Sequence, residues 1–156
     1  MALTEGAMIP DLALVGADGV AVRLHDFIGR PLVLYFYPKD DTPGCTREAQ
    51  DFTTAKGDFD AKGAALLGIS KDSPAKHAKF AAKYELTVPL ATDEDSQVLE
   101  AFGAWVEKSM YGKSYMGIER ATFLFDAQGT LVRAWRKVKV PGHVAEVLAA
   151  VQALPH

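Results

Sequence analysis

The chain has 156 residues, of which 49% are apolar and 24% are charged, as in ordinary soluble globular proteins. Its net charge of −3 provides no general attraction to nucleic acid or to an anionic membrane, and no apolar run reaches the length of a transmembrane helix. The N-terminal segment has neither the basic nor the apolar region of a signal peptide. We therefore expect one domain over residues 1–156, in the cytoplasm, with no nucleic-acid or membrane partner.

The first third of the chain predicts a hairpin, a strand and a helix. Residues 12–15 and 20–24 flank a Gly-Ala-Asp-Gly turn, and the apolar run 31–37 is typical of a buried strand. Thr42 followed by Pro43 predicts the N-cap and the first residue of a helix. The core-facing stripe of that helix carries Cys45, Ala49, Phe52 and Phe59.

Strands and helices alternate along the rest of the chain, before a closing hairpin and a last helix. The further predicted strands are residues 64–70, 88–91, 121–125 and 131–138. The further predicted helices begin after Ser73, at Ser96 and near Val144. Residues 103–119 are rich in glycine and aromatic residues, so we expect mostly loop there. This order predicts a three-layer α/β fold with a central mixed sheet flanked by helices and an N-terminal β-hairpin.

The cysteine and histidine content restricts the possible chemistry. The chain has one cysteine and four scattered histidines, which excludes an intramolecular disulfide and every multi-cysteine metal motif. We expect neither a metal nor a cofactor.

Cys45 is the principal candidate for a reactive group. It falls in the first turn of the predicted helix, where unpaired N–H groups and the helix dipole favour a thiolate. Pro43 and Gly44 allow the backbone to approach the sulfur, and the N–H groups there can bind an oxyanion. The alternative is that Cys45 is only a small buried apolar side chain.

The other candidates each have an ordinary structural explanation as well. Thr42 is explained by capping, but its hydroxyl could also bond the sulfur or a substrate oxygen. Pro38 either ends the strand or shields the thiolate. Arg120 is a surface charge unless the strand after it lies beside residues 31–37, in which case it could reach Cys45. Glu48 either orients that arginine or is an exposed charge on the helix.

Two stretches of sequence resemble a known enzyme family. The pattern Pro38-x-x-x-Thr42-x-x-Cys45 is similar to the active-site signature of the peroxiredoxins. The strings YFYPKDDTPGCTREA and KSMYGKSYMGIERATFLFD resemble the PrxQ, or bacterioferritin comigratory protein, subgroup, and the likeness runs over almost the whole chain. The resemblance implies a thioredoxin-like fold and thiol-dependent reduction of hydrogen peroxide and organic hydroperoxides.

The resemblance also implies roles for individual residues. Cys45 would attack the terminal peroxide oxygen and become a sulfenic acid. Thr42, Arg120 and the backbone N–H of Cys45 would hold the peroxide and stabilise the departing oxygen. The remaining substrate-binding residues would be Pro38, Gly44 and Glu48.

The chain departs from the subgroup at the residue that completes the cycle. Many PrxQ members have a resolving cysteine five residues after the nucleophile, where this chain has Gln50. We therefore expect a 1-Cys peroxidase, a monomer or weak homodimer, recycled by an external thiol such as thioredoxin, glutaredoxin or glutathione. The alternative is a redox-sensing or interaction protein of thioredoxin fold with little catalytic turnover.

Three further signals have competing explanations. A basic and aromatic stripe can bind nucleic acid, but it also blunts an exposed sheet edge; it consists of Arg133, Trp135, Lys137 and Lys139. An aromatic and methionine group could form an active-site rim, a docking surface, a dimer contact or ordinary core packing; it consists of Trp105, Met110, Tyr111, Tyr115 and Met116. His77 is expected to be a packed side chain rather than a base.

Overall fold

A seven-stranded mixed sheet lies at the centre of the protein in the computed structural model, which describes residues 3–155. Its strands are β1 (Ala13–Gly16), β2 (Ala21–Arg23), β3 (Leu32–Phe36), β4 (Ala65–Ser70), β5 (Leu90–Thr92), β8 (Ala121–Phe125) and β9 (Leu131–Trp135). Their order is β2-β1-β5-β4-β3-β8-β9. Strands β3, β4 and β5 are parallel, and the other pairings are antiparallel. The predicted N-terminal hairpin is β1–β2.

Helices cover both faces of this sheet and produce two separate cores. The helices are α1 (Pro43–Ala61), α2 (Pro74–Tyr84), α3 (Gln97–Ala101) and α4 (His143–Gln152), with a 3-10 turn at Leu24–Phe27. One core holds Phe52 of α1, Phe80 of α2 and Val147 of α4. The other holds Val98 and Leu99 of α3. The mixed sheet between helical layers confirms the predicted three-layer fold.

Strand β3 explains how the fold presents the candidate cysteine. Val33 and Tyr35 belong to one core, whereas Leu34 and Phe36 belong to the other. Because both faces are covered, the strand is apolar throughout instead of alternating with polar residues. It ends at the loop that leads into α1, so the first turn of α1 lies at the carboxyl end of a central strand, where open α/β sheets bind ligands.

The expectation of mostly loop over residues 103–119 is wrong. Strands β6 (Trp105–Met110) and β7 (Lys113–Ile118) pair as a separate antiparallel hairpin. Its two-residue turn has positive φ at both Tyr111 and Gly112, as a type I′ turn requires. The sequence concealed the hairpin because tyrosine is not a usual residue for such a turn, and because most β6 and β7 side chains are at least partly exposed and show no clear alternation.

The structure also changes the interpretation of the basic and aromatic stripe and of the aromatic and methionine group. Strand β9 ends at Trp135 and Lys137 has positive φ, so the basic stripe does not continue along the strand to Lys139. Core packing is wrong for four members of the aromatic and methionine group, which are exposed: Met110, Tyr111, Tyr115 and Met116. Trp105 alone is partly buried and packs against the core.

Two kinds of feature are absent from residues 3–155. None of their helices combines the length and apolar character needed to cross a bilayer. No group of three or more potential metal-binding side chains comes together among them.

Candidate active site

Cys45 lies in the first turn of α1, as the Thr-Pro pattern predicts. Thr42 is the N-cap residue with an extended backbone, and Pro43 is the first helical residue. The Cys45 side chain is only 2% exposed and packs with the core beneath α1. Gln50, five residues after Cys45 in the same helix, is exposed. Burial alone would suit an inert cysteine, so the neighbours of the sulfur must distinguish the two interpretations.

Arg120 connects Cys45 to Glu48. Its Nη2 lies 3.3 Å from Cys45 Sγ, and its Nη1 donates to Glu48 Oε1 at 2.6 Å. Strand register makes this possible, because β3 pairs with β8 so that Phe36 faces Ala121, the residue after Arg120. The arginine therefore lies at the carboxyl end of β3, beside the start of α1. The guanidinium thus places a positive charge within hydrogen-bond reach of the sulfur.

Glu48 and Arg120 differ in how strongly each keeps its charge. Burial raises the pKa of Glu48 to about 7, although the charge and hydrogen bond of Arg120 act to lower it. Within residues 3–155, Glu48 Oε2 has no hydrogen-bond partner, so only one carboxylate oxygen is stabilised. For Arg120, burial acts to lower the pKa, but Glu48 and Cys45 together hold it above the ordinary value. The guanidinium is therefore the permanent charge at this site.

Because Gly44 has no side chain, the Arg120 guanidinium can lie close to the start of α1. A Cβ at this position would lie 3.2 Å from Arg120 Nη2, closer than most Cβ contacts allow. The backbone of Gly44 is helical, so the need for glycine comes from the close approach and not from φ.

Thr42 does not cap the helix with its side chain, contrary to the capping explanation. In the described part of the chain, its hydroxyl makes no cap hydrogen bond and instead donates to the carbonyl of Lys39 at 2.9 Å. Two consequences follow. The hydroxyl oxygen keeps its lone pairs for another donor, and the first-turn N–H groups of Gly44 and Cys45 keep their hydrogens for another acceptor. Pro38 is exposed at the end of the strand.

A buried polar network that sequence reasoning missed supports the loop before Thr42. Tyr37 donates to Asp40 Oδ1 at 2.6 Å, and Asp40 Oδ2 lies 2.7 Å from His77 Nδ1. The other ring nitrogen, Nε2, lies 3.0 Å from the carbonyl oxygen of Ala91. His77 is fully buried, as expected for a packed histidine. Its partner is 37 residues away in the chain, so no local sequence pattern signals the contact.

A second missed contact lies behind Arg120. His143, at the start of α4, places Nε2 2.8 Å from the hydroxyl of Thr122, two residues after the arginine. Burial lowers the pKa of His143 to about 4, and the charge of Arg120 acts in the same direction. The imidazole is therefore neutral at pH 7 and adds no charge beside the guanidinium.

Comparison with known proteins gives consistent matches over nearly the whole chain. Residues 6–134 match the AhpC/TSA family. The chain is 48% identical over 152 residues to peroxiredoxin Bcp of Bacillus subtilis, covering 97% of each protein. It is 49% identical over 143 residues to peroxiredoxin Bcp of Xanthomonas campestris, covering 92% of this chain and 89% of that protein.

Two solved structures share the fold closely. One is the bacterioferritin comigratory protein of Xanthomonas campestris, studied for its alkyl peroxide reduction activity, with a TM-score of 0.90 and 45% identity over 96% of this chain and 98% of that one. The other is a cysteine-to-serine variant of PrxQ from Xylella fastidiosa, with a TM-score of 0.93 and 39% identity over 98% of both chains.

Proposed function

Because the chain belongs to the AhpC/TSA family, as a thiol-dependent peroxidase of the Bcp/PrxQ peroxiredoxins, we propose that Cys45 is its nucleophile and that an external thiol completes each cycle. The observation that carries this proposal is the 3.3 Å contact between Arg120 Nη2 and Cys45 Sγ. It supplies the positive charge that a peroxidatic thiolate needs.

The first half of the cycle uses the groups gathered at the start of α1. The Cys45 thiolate gives an electron pair to the terminal peroxide oxygen, the O–O bond breaks, and the departing hydroxide or alkoxide takes up a proton. Arg120 and the free N–H groups of Gly44 and Cys45 stabilise the charge on the departing oxygen. The Thr42 hydroxyl accepts a hydrogen bond from the peroxide O–H, because its own hydrogen is directed to Lys39.

Glu48 supports this arrangement without touching the peroxide, and Gly44 supports it through its lack of a side chain as well as through its N–H group. Glu48 holds one side of the guanidinium, which leaves Nη2 directed at the sulfur. Gly44 leaves room for it. Pro38, exposed where the strand ends, belongs to the rim of the site.

The second half of the cycle comes from outside this chain. Cys45 is the only cysteine in the 156 residues, so its sulfenic acid has no partner within them. Thioredoxin, glutaredoxin and glutathione are suitable reductants, and a reducing compartment such as the cytoplasm would supply them. The cycle needs a single chain folded as one domain, so a monomer or a weak homodimer is sufficient.

A single-turnover experiment tests this proposal. The reduced protein receives one equivalent of hydrogen peroxide, and its mass is measured with and without glutathione. We expect a sulfenic acid at Cys45 that a dione probe traps, then a mixed disulfide with glutathione, and neither product in the Cys45→Ser variant. Oxidation at another residue, or a Cys45 product that neither glutathione nor thioredoxin nor glutaredoxin reduces, would contradict the proposal.

A further inference from the structure

A pocket lined by lysines lies beside the loop that carries the active site. One wall is the segment 39–41, just before the N-cap of α1, and the other is the face of α2 that carries residues 76, 79 and 83. The pocket has a volume of about 360 Å³, which lies in the range of small-molecule sites. Four lysines line it: Lys39, Lys76, Lys79 and Lys83.

Three of these lysines make no ion pair within the described part of the chain. Lys83 is paired with Asp41 at 2.8 Å, and hydrogen bonds from Lys83 and Tyr84 hold the pKa of Asp41 below its usual value. Lys39, Lys76 and Lys79 are exposed and make no ion pair with any residue of the range 3–155. This group of free cations is notable in a chain whose net charge is −3.

The remaining carboxylates of the pocket already have partners. Asp40 is bonded to Tyr37 and His77. Asp72 Oδ2 accepts from the backbone N–H of Asp40 and from the hydroxyl of Ser70. The first turn of α2 contains no acidic residue, so the positive end of its dipole adds to the lysines. The lining therefore has four lysines against three aspartates, a formal charge of +1, and the exposed ammonium groups of Lys39, Lys76 and Lys79 are the ones open to carboxylate groups.

The pocket is also close to the reactive sulfur along the chain. Asp41 is one residue before Thr42, and Thr42 and Cys45 span one helical turn. A Cα–Cα step of about 3.8 Å and a turn with about 5 Å between its end Cα atoms place the Cα atoms of Asp41 and Cys45 within about 9 Å. A tripeptide bound in the pocket is long enough to extend over this distance.

We propose that this pocket binds the carboxylates of a small anionic thiol of the glutathione type, the reductant that resolves oxidised Cys45. The proposal rests on the external-thiol cycle described above and assigns the thiol's binding site. A compact dicarboxylate matches the volume of the pocket and its three unpaired lysines, whereas a protein reductant would need a broad surface.

The chemistry of this step balances with two thiols. The first thiolate attacks the Cys45 sulfur, an S–S bond forms, the S–OH bond breaks, and the hydroxide leaves as water after taking a proton. The second thiolate attacks the thiol-derived sulfur of the mixed disulfide. Cys45 then leaves as the thiolate and the two external thiols are released as a disulfide. The two electrons that reduced the peroxide thus come from the external thiols.

The test compares an anionic thiol with two thiols that carry no carboxylate. Peroxidase turnover is measured with glutathione, glutathione diethyl ester and dithiothreitol, for the wild type, the Lys76→Ala/Lys79→Ala double variant and Lys113→Ala. Lys113 is an exposed lysine of β7 and serves as the control. We expect the double variant to lower kcat/KM for glutathione by about three- to tenfold, and to leave the ester and dithiothreitol unchanged. Lys113→Ala should resemble the wild type.

Several results would overturn the assignment. They are equal rates with glutathione and its ester in the wild type, equal losses for all three thiols in the double variant, or turnover that only an acidic protein reductant supports. A failure of the whole cycle is distinguishable, because then dithiothreitol would not support turnover either.

Binding by calorimetry decides the question independently of turnover. S-methylglutathione should bind the Cys45→Ser protein and lose affinity by the same factor when Lys76 and Lys79 are replaced. Absence of binding at millimolar concentration, or binding that the double variant retains, would overturn the proposal.

Discussion

Gly44 and Arg120 are in close contact: a Cβ at Gly44 would lie only 3.2 Å from Arg120 Nη2. The same nitrogen lies 3.3 Å from Cys45 Sγ. The lack of a side chain at Gly44 therefore lets the Arg120 guanidinium approach the sulfur of Cys45, the next residue in the same helical turn.

Replacing Gly44 by alanine should lower the rate of peroxide reduction. The new methyl group would push the guanidinium away from the sulfur by a few tenths of an ångström, and we expect about a tenfold loss in the second-order rate constant with hydrogen peroxide. Gly57→Ala is the matched control, since Gly57 is exposed in the same helix and a Cβ there would meet no other side chain. It should keep full activity and gain up to about 1 kcal/mol of stability. Equal activity of the two variants would contradict the role of Gly44.

Arg120→Lys tests whether the side chain at this position must contact both Glu48 and Cys45 through a guanidinium. Lysine keeps the charge but lacks the planar pair of nitrogens with which the guanidinium contacts Glu48 and Cys45. We expect about a 100-fold loss in the rate of peroxide reduction. A variant with wild-type peroxide kinetics would show that the charge alone is sufficient.

Thr42 should act through its hydroxyl. Thr42→Ser keeps the donor to the Lys39 carbonyl and the free lone pairs, so we expect activity within about threefold of the wild type. Thr42→Val keeps the shape and loses the hydroxyl, and should lower the peroxide rate constant by about 100-fold. The two variants should differ little in thermal stability, because the hydroxyl does not cap the helix. Equal peroxide kinetics would exclude a role for the hydroxyl.

Glu48 should make the stability of the protein depend on pH. Its pKa is about 7 in the folded protein against an ordinary value of 4.5. Between these values the unfolded chain is ionised and the folded protein is still protonated, so stability falls as the pH rises from 4.5 through 7. The difference corresponds to about 3 kcal/mol.

Urea unfolding of the wild type and Glu48→Gln at several pH values measures this effect. Because glutamine stays neutral, the variant should match the wild type most closely near pH 4.5 and gain about 3 kcal/mol relative to it by about pH 8. A wild type that gains stability over the variant as the pH rises would show that Arg120 outweighs the burial of Glu48.

The local features of the site could be predicted from sequence, because they depend on adjacent residues. A continuous apolar run gives a strand buried on both faces, and a Thr-Pro pair starts the helix that carries Cys45. The contact of Arg120 with Cys45 depends on the pairing of β3 with β8 across 75 residues. From the sequence, that contact could be predicted only on the condition that these two strands are neighbours in the sheet.

The features that sequence reasoning missed arise from tertiary context. The hydroxyl of Thr42 turns to the Lys39 carbonyl and not to the helix, although its residue type favours capping. The network of Tyr37, Asp40 and His77 joins a loop to a helix that is distant in the chain. The hairpin over residues 105–118 depends on a positive φ at Tyr111, which its residue type does not predict.

Steady-state peroxide consumption with excess dithiothreitol, compared between the wild type and Cys45→Ser, tests directly whether Cys45 is a nucleophile that an external thiol recycles. We expect the wild type to consume many equivalents of hydrogen peroxide per chain and Cys45→Ser to consume none above background. Consumption that stops at one equivalent would show that Cys45 is oxidised without being recycled, as in a redox sensor. Undiminished consumption by Cys45→Ser would contradict the assignment of the nucleophile.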